Sequence, residues 1–204
     1  NVIRTFYLQK AQKKILMLIT NIIKPRFVLS VLRSLHFKIK YRGQLKINPL
    51  KVFLDQGVRI NIGSSGKIIF SSQEGRIYIG RGCDLGASQG GVMEIRGGVF
   101  LNKGCTIEAR EHVYVGADTM FGPNVSVFDN DHGFSQTGIP YRHQQHKCKP
   151  IRIGTNVWIG AGTFVVKGSL IEDSVVIGAN SLVSRRLNNG SLYVGNPAKL
   201  VRKL

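Results

Sequence analysis

A chain of 204 residues that is 43% hydrophobic and 20% charged has the length and apolar content for one domain with a real core plus an appendage, which excludes a disordered protein. The formal net charge of +18 is uneven, because residues 1–60 hold 13 Lys and Arg against the single acid Asp55; a basic head on a moderately basic body calls for an anionic partner. Cys83, Cys105 and Cys148 are odd in number, widely spaced and without a C-x-x-C pair, which excludes a disulfide framework or zinc knuckle and fits a reducing compartment.

The head contains the most apolar run, ILMLITNII from Ile15 to Ile23, preceded by Lys10, Lys13 and Lys14. It is about half the ~20 residues of a membrane span, Thr20 and Asn21 interrupt it, and no small-residue cleavage site follows, so neither a transmembrane helix nor a signal peptide is expected. Ile15, Leu18, Ile19, Ile22 and Ile23 share one helical stripe, Pro25 should end or kink that helix, and Val28, Val31, Leu32 and Leu35 predict a second short one. Residues 1–45 are thus expected to form a basic, amphipathic helical segment packed on the body or on a neighbouring subunit, with attachment to an anionic membrane surface as the alternative.

Further along, a repeat decides the fold. Ile153, Ile159, Val165, Ile171, Ile177 and Val183 recur at an unbroken spacing of six, which no α-helix has. Six is even, so short strands return the same face inward, with turn residues between them bending the chain round a corner; three such faces make a coil of 18. The pairs Ile60/Ile62, Ile77/Ile79, Val113/Val115 and Ile151/Ile153, with Ile95 in series, read as coil starts, and the jump from 113 to 151 marks an insertion about one coil long. Its loop, 133–150, leaves a β-domain spanning 46–190, and 191–204 forms a C-terminal tail. Val157, Thr163, Ser169, Val175, Ser181 and Leu187 are mostly small or β-branched, as a narrow prism requires, and Cys83 and Cys105 fall in the same slot as small core residues.

A regular prism presents flat faces, so a site has to be built where a loop breaks the coil. His132, His143 and His146 collect there. A neutral imidazole at His132 can take a proton near pH 7. Asp129 or Asp131 could orient it; neighbours on an extended chain point to opposite sides, which favours Asp129. Arg142, His143, His146 and Lys147 form either a solvated basic loop or, with Asp129, an acceptor-binding wall.

The hexads, DNDHG before a projecting loop, IRIGTNVWIGAGTFV, VIGANSLVSRRL and the closing VGNPAKLVRKL resemble the hexapeptide-repeat acyltransferases, in particular the galactoside, maltose and polysaccharide O-acetyltransferase branch, over about residues 60–204. The resemblance implies a mainly β fold, a left-handed parallel β-helix of hexapeptide repeats, that assembles as a homotrimer with acetyl-CoA bound between neighbouring prisms. It implies that His132 is the general base and that Asn102 lies near it. Trp158, Gly160, Ala161 and Ala179 then match the wall for the pantetheine arm, and Ser184, Arg185, Lys199 and Arg202 the region that meets the nucleotide end. With no nucleophile elbow, transfer is expected to be direct, Cys148 being a minor covalent alternative.

The expected activity is acetyl transfer from acetyl-CoA to a sugar hydroxyl of a bacterial surface polysaccharide or its precursor, in the cytoplasm, peripheral to the inner membrane. N-acetylation of an amino or nucleotide sugar is the alternative, and a polyanion-binding scaffold a further one. No aromatic-interleaved basic motif points to nucleic acid. A three-histidine zinc enzyme on the related carbonic anhydrase scaffold is set aside because the spacing of His132, His143 and His146 does not match its ligands, so no metal is expected.

Overall fold

The computed structural model describes residues 25–204; the stripe Ile15–Ile23 lies outside the described residues. From Leu45 to Val194 the chain winds as a three-faced parallel β-solenoid, with faces of seven, seven and six strands. Every second residue of each strand points inward, and one apolar column results: Ile68, Met93, Val113 and Ile151 on the first face, Leu54, Ile79, Leu101, Phe121 and Ile159 on the second, Leu85, Ile107, Val127 and Val165 on the third, all but inaccessible to solvent.

The coils are unequal. On the second face Leu54, Ile79, Leu101, Phe121, Ile159, Ile177 and Tyr193 stack in register, in steps of 25, 22, 20, 38, 18 and 16 residues. Only the step from Ile159 to Ile177 keeps the hexad beat of 18, and the last coil is shortened to 16. The series joining Ile60, Ile77 and Ile95 is therefore corrected: Ile60 belongs to the third face beside Leu85, Ile77 to the second beside Val52, and Ile95 to the first beside Val115. The early coils use five-residue strands, Lys67–Ser71 and Val92–Arg96, and longer corners, which stretch the period.

Corners are narrow because the next coil's backbone lies directly against them. A Cβ on Gly122 would sit 2.6 Å from the Ala161 nitrogen, and one on Gly160 2.4 Å from that of Ala179. Inside the corners, small polar side chains satisfy the neighbouring coil: Cys83 Sγ donates to the Asn102 carbonyl, Cys105 Sγ to Gly122 and Thr163 Oγ1 to Gly178. Both thiols are core groups, as their slots implied.

The helix α1, Pro25–Lys40, packs across the first coil in the opposite sense to expectation. Its buried residues are Ser30 and Ser34, while Val28, Leu29, Leu32, Leu35 and Ile39 are 41–77% exposed. The reason lies underneath. Strand Val52–Leu54 is the edge of the second face and leaves backbone groups open. Ser30 Oγ accepts the Leu54 N–H at 2.8 Å, the Arg33 guanidinium donates to the Leu54 carbonyl at 3.1 Å, and Arg26 pairs with the buried Asp55 carboxylate at 3.0 Å. Polar satisfaction of that edge fixes the helix face, with Phe37 alone packing on the core. At the far end Lys199–Lys203 folds back antiparallel on Ser191–Val194. Among the described residues no helix is long and apolar enough to cross a membrane.

Candidate functional site

The insertion leaves the corner between the third and first faces, and its entry is locked by a carboxylate. Asp129 is fully buried; its two oxygens accept the N–H groups of Arg110 and Glu111, each at 2.8 Å, and its carbonyl accepts the Lys149 N–H at 2.9 Å. It therefore ties the loop's entry to the coil below and to the loop's own exit. The acceptor-binding role expected of Asp129 is corrected accordingly, since no part of it meets solvent. Asn130–Asp131 then pairs antiparallel with Lys147–Cys148, and Asp131 forms an ion pair with Lys167 of the coil above. Within the loop the buried Gln144 donates to the carbonyls of Gln136 and Ile139 and accepts the Gln136 N–H. Gly133 follows His132 because a Cβ there would lie 2.6 Å from the Gln145 carbonyl oxygen.

This construction leaves a cleft of ≈ 470 Å³, in the range of small-molecule sites, with Glu108, Arg110, Phe128, Asp131, His132 and His146 among its walls. His132 is exposed, and its ring lies 4.2 Å from that of His146, tilted by 43°. Burial, the Arg110 guanidinium and His132, in that order, hold His146 below the ordinary histidine range. Burial also pushes the Glu108 carboxyl up, although a hydrogen bond from Ser88 pulls it back.

Two cleft atoms have neither solvent nor a hydrogen-bond partner, Arg110 Nε and His146 Nδ1. A buried donor or acceptor left without a partner costs about 1–3 kcal/mol, so each calls for one. Glu108 and Arg110 escaped the sequence reading, being outward residues of the preceding coil that no hexad rule marks. The one available signal was Gly86, whose missing side chain leaves the space that the Glu108 carboxylate fills.

The remaining candidates separate into groups. Of the loop cations and histidines, only His146 joins His132. His143 lies outside the cleft, exposed on a single 3₁₀ turn, Tyr141–His143, where its Nε2 accepts from Arg142 Nε at 3.0 Å. Among the described residues no three metal-ligating side chains converge. Cys148 is partly shielded and burial raises its pKa, the wrong direction for a nucleophile.

Asn102, Gly160, Ala161 and Ala179 gather at the corner between the second and third faces, and Trp158 stands just before it, 53% exposed. The Asn102 amide accepts the N–H of Lys103 at 2.8 Å. Within one chain this corner and the root of the loop lie at opposite ends of the third-face strands, such as Ser126–Phe128. The N–H groups of Ala161 and Ala179 make no backbone hydrogen bond among the described residues, so this corner offers donors to an amide-bearing ligand. At the solenoid's end Arg185 donates to the Ala198 carbonyl at 2.9 Å, and Ser184, Lys199 and Arg202 are exposed beside it.

No protein-family model matches the chain. Over 131 residues it is 31% identical to WbbJ of Escherichia coli, a protein assigned to lipopolysaccharide biosynthesis as an O-acetyl transferase, covering 61% of this chain and 67% of that one. It is 35% identical over 107 residues to the galactoside O-acetyltransferase of Lactococcus lactis, covering 52% of this chain and 51% of the other. Among solved structures, AntD, an N-acyltransferase from Bacillus cereus in complex with dTDP-4-amino-4,6-dideoxyglucose and coenzyme A, superposes with a TM-score of 0.66 at 20% identity, covering 84% of this chain and 88% of AntD, which shows a shared fold. The chain belongs to the hexapeptide-repeat acyltransferases, in the branch of the sugar O-acetyltransferases.

Proposed function

We propose that the protein transfers the acetyl group of acetyl-CoA to a sugar hydroxyl, with His132 as general base. The observation that carries this reading is the position of His132, in the cleft at the point where the hexad repeat breaks. The acceptor hydroxyl gives its proton to the imidazole as its oxygen attacks the thioester carbonyl. A C–O bond forms, the C–S bond breaks, and the imidazolium returns the proton to the departing thiolate. Galactoside and lipopolysaccharide O-acetyl transferases among the relatives favour a glycan acceptor, and the branch favours oxygen over nitrogen.

The acyl donor is assigned to the corner bearing Trp158, Gly160, Ala161 and Ala179, with Ser184, Arg185, Lys199 and Arg202 towards its phosphates. Because that corner and His132 stand on opposite edges of one prism, the proposal includes a cyclic homotrimer in which one chain's His132 faces a neighbour's donor corner, Asn102 included. The second face favours such a neighbour: Phe53, Tyr78 and Phe100 stack outward at 5.1 and 4.8 Å, and Met120 and Trp158 continue the ladder in register. The exposed apolar stripe of α1, with Lys38 and Lys40 in its last turn, supports peripheral contact with an anionic membrane.

Incubating the purified chain with acetyl-CoA and a panel of sugars, and measuring free thiol release, tests the assignment. Acceptor-dependent release that collapses in His132→Ala is expected; release unchanged in that variant overturns it. Light scattering of an active monomer would overturn the shared site.

A further inference from the structure

The Arg110 guanidinium lines the cleft yet belongs to no ion pair among the described residues. Of the carboxylates near it, three hold other partners, although Glu108 also feels the Arg110 charge. Asp129 spends both oxygens on backbone N–H groups, Asp131 pairs with Lys167, and Glu108 takes the Ser88 hydroxyl. Among the described residues only three buried side-chain polar atoms lack a partner, and two of them, Arg110 Nε and His146 Nδ1, stand in this cleft; the third, Ser34 Oγ, is on α1. A guanidinium in no close ion pair, beside a second unpaired nitrogen, is a half-built anion site. Its planar fork matches a carboxylate through two parallel hydrogen bonds. The chain's net charge of +18 adds a long-range pull on acidic glycans.

We propose that the acceptor is an acidic sugar whose carboxylate docks on Arg110, with His146 Nδ1 holding a neighbouring oxygen. Resting on the acetyl-transfer reading above, this names the acceptor class as a uronic acid type. Both nitrogens are shut off from solvent, so docking turns one of the two side chains and brings it an oxygen partner. The His146 ring, 4.2 Å from His132, then sets the distance between the anchored carboxylate and the hydroxyl that is deprotonated. Arg110 and His146 are specificity residues in this scheme.

The test pairs methyl galactoside with methyl galacturonoside, which differ at C6 alone, and reads binding by calorimetry separately from acetyl transfer by thiol release. The wild-type chain should prefer the uronoside at least about tenfold in both. Arg110→Gln should erase that preference in binding and in kcat/KM. Arg110→Lys, which keeps the charge and loses the fork, should retain only part of it. Equal binding of the two sugars, or an acid preference that survives in Arg110→Gln, overturns the proposal whatever the turnover. Arg110-dependent uronoside binding without any thiol release supports the anion site and instead refutes the acetyl-transfer reading.

Discussion

The two corners that flank the third face of the prism are built by opposite means. At the corner proposed for the acyl donor, Gly122, Gly160 and Gly178 leave no room for a side chain, because the coil above lies under 3 Å from where its first carbon would stand. At the loop corner the backbone departs, and side chains hold it: the Asp129 carboxylate on two N–H groups, the Asp131–Lys167 pair, and Gln144 inside the loop. One corner excludes atoms and the other depends on them. The difference teaches where chemistry can enter such a fold, for only the second kind of corner leaves a cleft with titratable walls.

The sharpest way to break this contrast is at His132. His132→Ala should lower kcat by about 10²–10⁴-fold, the usual loss with a general base, and leave acetyl-CoA affinity nearly intact because the donor corner lies across the face. Steady-state kinetics with acetyl-CoA and acceptor varied separately would check both halves. A matching loss of donor affinity would place the two corners in one pocket of the same chain.

Next in size are substitutions that exchange the rules of the two corners. Gly160→Val forces a side chain against the backbone of Gly178 and Ala179 and should cost about 3 kcal/mol, seen as a Tm lower by roughly 6–12 °C. Asp129→Ala adds no clash and strips two buried N–H groups of their acceptor, for about 2 kcal/mol that falls mainly on the loop. Acceptor KM should rise in that variant while acetyl-CoA KM holds. An unchanged Tm in Gly160→Val would show that coil stacking does not dictate the glycine.

The same contrast explains what could be read in advance. A corner that excludes atoms imposes a period, so the solenoid, the length of the insertion and the inward slots of Cys83 and Cys105 were legible in the sequence. The early coils were not, since corners of variable length shift Ile60, Ile77 and Ile95 onto three different faces without changing residue type. His132 and His146 stood out as loop histidines. Asp129 was misassigned because an acid before a histidine looks the same whether it faces a ligand or two buried N–H groups. Arg110 gave no sign, as the residues that share its cleft, His132 and His146, stand 22 and 36 positions away in the chain. The helix α1 shows the general limit: a hydrophobic stripe tells which face is apolar, and the open edge of Val52–Leu54 decided which face went inward.

A smaller effect should come from pH. His146 has a lowered pKa in the folded loop, from burial first and then from Arg110 and His132, whereas an opened loop restores the ordinary value of about 6.5. The opened form then binds the proton more readily, so loop closure is complete above about pH 6.5 and weakens as pH falls through it towards the folded value. Hydrogen-exchange protection of Gln136 and Gln144, corrected for intrinsic rates, should drop between about pH 7.5 and 5.5. His146→Phe, which cannot titrate, should flatten the profile. Protection that rises on acidification would reverse the sign and with it the buried neutral state of His146.

The smallest effects belong to the loop's outer side, where the sequence offered a wall and the structure places none. His143 and Arg142 contact each other, both are exposed, and neither lines the cleft. A hydrogen bond between exposed side chains contributes little, because water replaces either partner. His143→Ala and Arg142→Ala should therefore each leave kcat and acceptor KM within about twofold, with stability changes within about 0.5 kcal/mol. His146→Ala, three residues further on, removes a cleft wall in contact with His132 and should raise acceptor KM well beyond that. Measured side by side on one acceptor, the three variants separate position from residue type. A loss in His143→Ala equal to that in His146→Ala would mean that the outer side of the loop meets the acceptor after all, and that the 3₁₀ turn at Tyr141–His143 closes over the cleft when it is filled.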